Sequence, residues 1–102
     1  FRDNYFDLVF TAGVLIHISP DDIDKAIREI YRMSSKYIWG FEYYADKYQE
    51  IPYRGNSEKM WKGNFMQLYL DRFPDLKIVK EIKYPYVNNS NVDQMFLLEK
   101  QG

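Results

Sequence analysis

The run Phe6-Asp7-Leu8-Val9-Phe10-Thr11-Ala12-Gly13-Val14-Leu15-Ile16-His17-Ile18 is almost continuously apolar, with Asp7 near its start and the small pair Ala12-Gly13 in its middle. A strand wetted on one face alternates polar and apolar residues. An unbroken Leu-Val-Phe run suits a parallel strand covered on both faces. After Phe10 the residues become small, which lets backbone come close to another group. Ser19-Pro20-Asp21-Asp22 then announces a helix. A buried strand that passes through a small-residue turn into a capped helix is half of a βαβ unit. Ligands in open α/β sheets sit outside the carboxyl ends of such strands, so Thr11–His17 borders any site the chain has.

Downstream, Ser19 suits an N-cap, with Pro20 at the first helical position and Asp22 three residues after the cap. Ile23, Ala26, Ile27, Ile30 and Tyr31 form one apolar stripe, and Asp24, Lys25, Arg28 and Arg32 the opposite face. The pattern predicts a helix over Asp21–Met33, broken by Ser34-Ser35. Lys36–Tyr44 predicts a second strand, parallel to the first through a right-handed crossover. Ala45–Trp61 has no clean period and contains the turn-prone Ile51-Pro52-Tyr53-Arg54-Gly55-Asn56, which predicts a long functional loop. Asn64 is placed to cap a helix over Phe65–Phe73, with Phe65, Leu68, Tyr69 and Phe73 inward and Pro74 as its stop. Leu76–Tyr84 and Gln94–Lys100 predict two further strands. The polar loop Tyr86–Asp93 between them has no helical period, so they pair antiparallel.

Composition narrows the function. Fourteen basic residues against 15 acids leave no basic footprint for nucleic acid. No apolar run approaches the roughly 20 residues of a membrane span, and no signal-peptide pattern is present, so a cytoplasmic location is expected. The sequence contains no cysteine and one histidine, so thiolate zinc sites and histidine-rich metal centres are excluded. A chain of 102 residues is one domain or part of one. An apparent core strand almost directly after Phe1, with no preceding methionine, predicts a single partial domain cut from a longer protein. Its first strand is expected to need a missing N-terminal half, or another copy, along its edge.

The order strand, helix, strand, helix, strand, strand resembles the C-terminal half of class I S-adenosylmethionine-dependent methyltransferases. That Rossmann-like α/β fold has parallel strands, flanking helices and a terminal antiparallel strand pair. The family's fourth strand commonly reads Phe-Asp followed by hydrophobic residues, a small-residue turn and a hydrophobic–His segment. Phe6-Asp7-Leu8-Val9-Phe10 and Thr11–Ile18 follow that pattern. Finer detail resembles methylases associated with pseudaminic acid biosynthesis. It is carried by Gly13–Ile18, Glu29-Ile30-Tyr31-Arg32, Glu42-Tyr43-Tyr44, Glu50-Ile51-Pro52-Tyr53-Arg54-Gly55 and Phe96-Leu97-Leu98-Glu99-Lys100. The family's Gly-rich loop, and the acid that holds the ribose, have no counterpart: Gly13, Gly40, Gly55, Gly63 and Gly102 form no Gly-x-Gly-x-Gly.

By this resemblance, Thr11, Ala12, Gly13 and Val14 touch the methionine end of S-adenosylmethionine, largely through backbone. His17 borders the cleft beyond them as a residue to orient substrate or take a proton; the alternative is a packed histidine between Ile16 and Ile18. Glu42 is a candidate catalytic or acceptor-binding carboxylate, or a solvated strand end. Tyr43, Tyr53 and Arg54 are candidate contacts to a small-molecule substrate, Arg54 through its planar fork. Tyr48, Tyr53 and Trp61 offer stacking faces or seal the loop onto the sheet. The implied activity is methyl transfer to a small molecule, a sugar or nucleotide sugar among the options, by the complete protein. The alternative is a non-enzymatic interaction module, or a subunit of a split protein, that binds a partner through the aromatic segment Tyr43–Trp61.

Overall fold

The structure is a computed structural model and describes residues 2–52 and 59–101. Strand β1 (Phe6–Ala12) leads through a short 3-10 turn (Leu15–His17) into helix α1 (Ile23–Met33) and strand β2 (Ser34–Tyr43). A hairpin of β3 (Gln49–Pro52) and β4 (Lys59–Lys62) follows, then helix α2 (Phe65–Arg72) and strands β5 (Lys77–Pro85) and β6 (Val92–Glu99). The main sheet has the order β1-β2-β6-β5, and β3-β4 form a separate antiparallel pair. As predicted, β1 and β2 run parallel and β5 and β6 antiparallel. The terminal pair inserts β6 between β2 and β5, so β6 runs antiparallel to both neighbours.

Both helices cover one face of this sheet. Pairing aligns Ile38 with Leu98 and Gly40 with Phe96. Ile38, Phe96 and Leu98 join Ile23 and Ile27 of α1 and Phe65, Met66 and Tyr69 of α2 in one core. Gly40 belongs to that packing. A Cβ there would lie 2.2 Å from the Phe96 ring, so the ring occupies the space a side chain would need. Asp24 bonds Arg28 and Arg72, which ties the exposed sides of α1 and α2 together. At the sheet's other end Lys100 donates to the carbonyls of Tyr31 and Ser34 at 3.0 Å, a cation placed where the α1 carbonyls end.

Four expectations are corrected. The first strand is not covered on both faces: Leu8 is 48% and Phe10 65% exposed, because both helices lie on the opposite side. Helix α1 begins at Ile23 with Asp22 as its N-cap residue, and no side chain caps it. Ser19 instead donates its hydroxyl to Asp22 across a turn in which Asp22 and Ile23 N–H groups reach the Ser19 carbonyl. Helix α1 ends at Met33 as expected, but the second strand starts at Ser34 rather than Lys36, with the Ser34 hydroxyl donating back to the Ile30 and Tyr31 carbonyls. Ala45–Trp61 is not an irregular loop throughout, since Gln49–Pro52 pair with Lys59–Lys62. The Asn64 cap is as expected, accepting the Gln67 N–H at 3.2 Å. Among the described residues no helix is long and apolar enough to cross a membrane.

Candidate functional site

At the carboxyl end of β1 the chain turns on Gly13, whose φ of 67° lies in the left-handed region that favours glycine. Its N–H bonds the Phe41 carbonyl at 2.9 Å, which ties the turn to β2. A Cβ on Gly13 would meet nothing within 4 Å. Glycine is therefore required here by backbone conformation, and the open side faces available space. Beyond it, Leu15 and Ile16 are buried in the core and anchor the 3-10 turn, while His17 points outward.

Glu42 holds this turn in place. Only 2% exposed, its carboxylate accepts the Leu15 N–H at 3.1 Å and, through longer bonds of 3.4 Å, those of Val14 and Ile16. Thr11 is a further hydrogen-bond partner. Burial raises the pKa of Glu42 above its ordinary value, and the Thr11 and backbone hydrogen bonds oppose that rise. The period-2 geometry of β2 turns Glu42 to the helix-covered face, beside Gly40 and Ile38. It is not a solvated strand end. Its observed work is to satisfy three N–H groups that the 3-10 turn leaves without backbone partners.

Where β1 and β2 end, a cavity of about 350 Å³ opens. Gly13, Ile16 and His17 form one wall, and Phe41, Glu42 and Tyr43 the floor. Met60 closes a side from β4, while Tyr86 and Asp93 supply the wall opposite. Tyr86 donates to Asp93 at 3.3 Å and its ring lies 5.9 Å from that of Tyr43. Hydrogen bonding with Tyr43, then burial, then Asp93 raise the Tyr86 pKa above the usual phenol value. His17 also borders a second groove, of about 580 Å³, with Ser19, Asp22 and Trp61.

Of the residues singled out in the sequence, Gly13, His17, Glu42 and Tyr43 meet at one cavity. Ala12 and Val14 are exposed beside it, and Thr11 is buried beneath. His17 is exposed at the end of the 3-10 turn. Tyr53 and Arg54 lie outside the described residues. Tyr48 seals rather than stacks: its hydroxyl donates to the Ile18 carbonyl at 2.6 Å, its ring meets Phe65, and burial pushes its pKa up to about 12. Met60, Tyr86 and Asp93 were not legible as site residues. The signal for Asp93 is its register opposite Tyr43, which exists only once β6 lies beside β2.

Residues 1–36 match the family model described as a methyltransferase domain. No curated protein matches the chain in sequence. A SAM-dependent methyltransferase from Methanosarcina mazei superposes with a TM-score of 0.73 at 12% identity, over 98% of this chain and 61% of that one. The 1,6-didemethyltoxoflavin-N1-methyltransferase of Burkholderia thailandensis, solved with 1,6-didemethyltoxoflavin and S-adenosylhomocysteine, gives 0.70 at 13% identity, over 98% and 46%. The cyclase SpnF gives 0.69 at 12% identity, over 98% and 51%. The fold is shared with S-adenosylmethionine-dependent methyltransferases. This chain spans about half the length of these structures. The match with a protein described as a cyclase shows that this fold does not by itself name a reaction.

Proposed function

We propose that the chain is the acceptor-side half of an S-adenosylmethionine-dependent methyltransferase acting on a small molecule. One observation carries the reading. The parallel β1–β2 pair ends in a Gly13 turn, held by Glu42, at the mouth of a cavity on the carboxyl side of the strands. Bound S-adenosylmethionine supplies an electrophilic methyl group. The residues present fit one part of it: the exposed Ala12–Val14 backbone and the open side of Gly13 suit close approach by the methionine end. Nothing among the described residues provides the Gly-rich loop or ribose-binding acid. Those belong, in this reading, to a segment that pairs with the free edge of β1.

Within the half described, Glu42 positions the turn, and His17 and Tyr43 stand at the cavity where they can orient the acceptor. A cavity that aligns acceptor and methyl group and excludes water needs no general base unless the acceptor arrives protonated. A sugar or nucleotide sugar as acceptor is supported only by the five stretches that resemble the pseudaminic-acid-associated methylases, so the acceptor class is the finer part of the proposal.

The second reading, a non-enzymatic interaction module, has its own observation in the exposed aromatic face around Phe10, Trp39 and Phe41. Isothermal calorimetry separates the two when combined with a methyl-transfer assay. The chain alone is expected to show no micromolar binding of S-adenosylmethionine. A protein that also carries a strand pairing with β1 is expected to bind it and to release S-adenosylhomocysteine with acceptor. Micromolar binding by the isolated chain, or an extended protein that never binds the cofactor, overturns the proposal.

A further inference from the structure

The cavity beside Gly13 has a distinct charge. Among the described residues its lining holds two carboxylates, Glu42 and Asp93, and no lysine or arginine. Glu42 is occupied by the N–H groups of the 3-10 turn. Asp93 is not comparably engaged. The one described side chain bonded to it is Tyr86, at 3.3 Å, which is long for a hydroxyl donor. Two nearby cations have other partners: Lys83 pairs with Glu81 and lies over the Tyr44 ring, and Lys62 bonds Asn91.

Three aromatic side chains line the same cavity as this carboxylate. Asp93 stands opposite Tyr43 in the β2–β6 ladder, Tyr86 reaches it from the β5–β6 connection, and Phe41 lies one step down the same face of β2. Ring faces carry negative electrostatic potential and attract organic cations, most strongly where water is partly excluded. A carboxylate among them adds direct Coulomb attraction. An anionic group entering the same space would meet two acids.

We infer that this wall takes an organic ammonium group, held between the Asp93 carboxylate and the rings of Phe41, Tyr43 and Tyr86, and that it anchors an acceptor carrying that group. Its assignment to the acceptor rests on the methyltransferase reading; the cation site rests on the lining alone. The ammonium is an anchor and not the atom methylated, since a protonated nitrogen has no free electron pair.

The test is a titration of the 102-residue chain with choline, followed through the ring resonances of His17, Tyr43 and Tyr86. A parallel titration uses neohexyl alcohol, in which carbon replaces the charged nitrogen. Choline is expected to shift these signals saturably, and the neutral isostere to bind about tenfold or more weakly. Asp93→Asn is expected to weaken choline about tenfold. Phe41→Leu is expected to weaken it by a smaller factor, and provides the test should Asp93→Asn fail to fold. Equal responses to the two probes, no response to choline, or wild-type affinity in the folded variants overturns the inference. Displacement of choline by S-adenosylmethionine overturns the assignment to the acceptor, because the wall would then hold the cofactor's own cation. Absence of methyl transfer in the extended protein leaves the choline result standing and separates the two claims.

Discussion

Strand β2 presents two different environments on alternate residues. Ile38, Gly40 and Glu42 face the helices and are buried, whereas Tyr37, Trp39, Phe41 and Tyr43 face away and are half-buried. The covered side is packed so closely that Phe96 fills the place of a Gly40 side chain. On the open side, rings pair loosely across strands: Phe10 with Trp39 at 6.3 Å, and Phe41 with Tyr84 at 6.0 Å. One strand thus belongs to a finished core on one side and to an aromatic platform on the other. The lesson is that apolar character alone does not tell which side this chain completes with its own helices. Beside these half-buried rings, Phe10 at the neighbouring strand is 65% exposed.

The contrast can be broken most sharply at Gly40. Gly40→Ala forces the Phe96 ring to move and is expected to destabilise the fold by about 1–3 kcal/mol, read by urea denaturation. An unchanged midpoint would show that the covered face is not tightly packed.

Glu42 sharpens it through pH. Its pKa is raised in the folded state, so its contribution to stability is fully present below the ordinary value of 4.5 and is lost as pH rises through the raised value. Glutamine does not titrate and still offers one acceptor oxygen. The stability advantage of wild type over Glu42→Gln is therefore expected to be largest below pH 4.5 and to shrink towards neutrality, where it falls to about 1 kcal/mol or less. An advantage that grows as pH rises would mean that the carboxylate is stabilised by its N–H partners more than it is penalised by burial.

The smallest expected effect lies on the open face. Phe10→Ser should alter the stability of the chain by no more than about 0.5 kcal/mol, since the ring is mostly exposed already. In a protein whose additional segment covers that face, the same substitution should cost about 1.5–3 kcal/mol. Equal costs in the two settings would remove the idea that something packs there.

Much of the architecture was legible because local chemistry and tertiary packing agree. The α1 stripe, the Asn64 cap, the Pro74 stop and the parallel β1–β2 crossover each depend on short-range pattern or handedness. The start of α1 was misplaced because Ser19 has two outlets, a cap or a turn, and the turn bonded to its carbonyl won. The β3–β4 hairpin was missed because its strands are four residues each and carry no clear alternation.

Local chemistry is enough to make this an α/β chain with a glycine turn after its first strand, since periodicity and the demand for positive φ are local properties. Only the assembled sheet brings Glu42 beneath that turn and sets Asp93 and Tyr86 across a cavity from it. The distance from Val14 to Glu42 is 28 positions along the chain, and Asp93 comes into place only through the reversed strand β6. Side chains that far apart are brought together by sheet order, and sheet order is set by how the whole apolar surface is buried, which no short window of sequence contains.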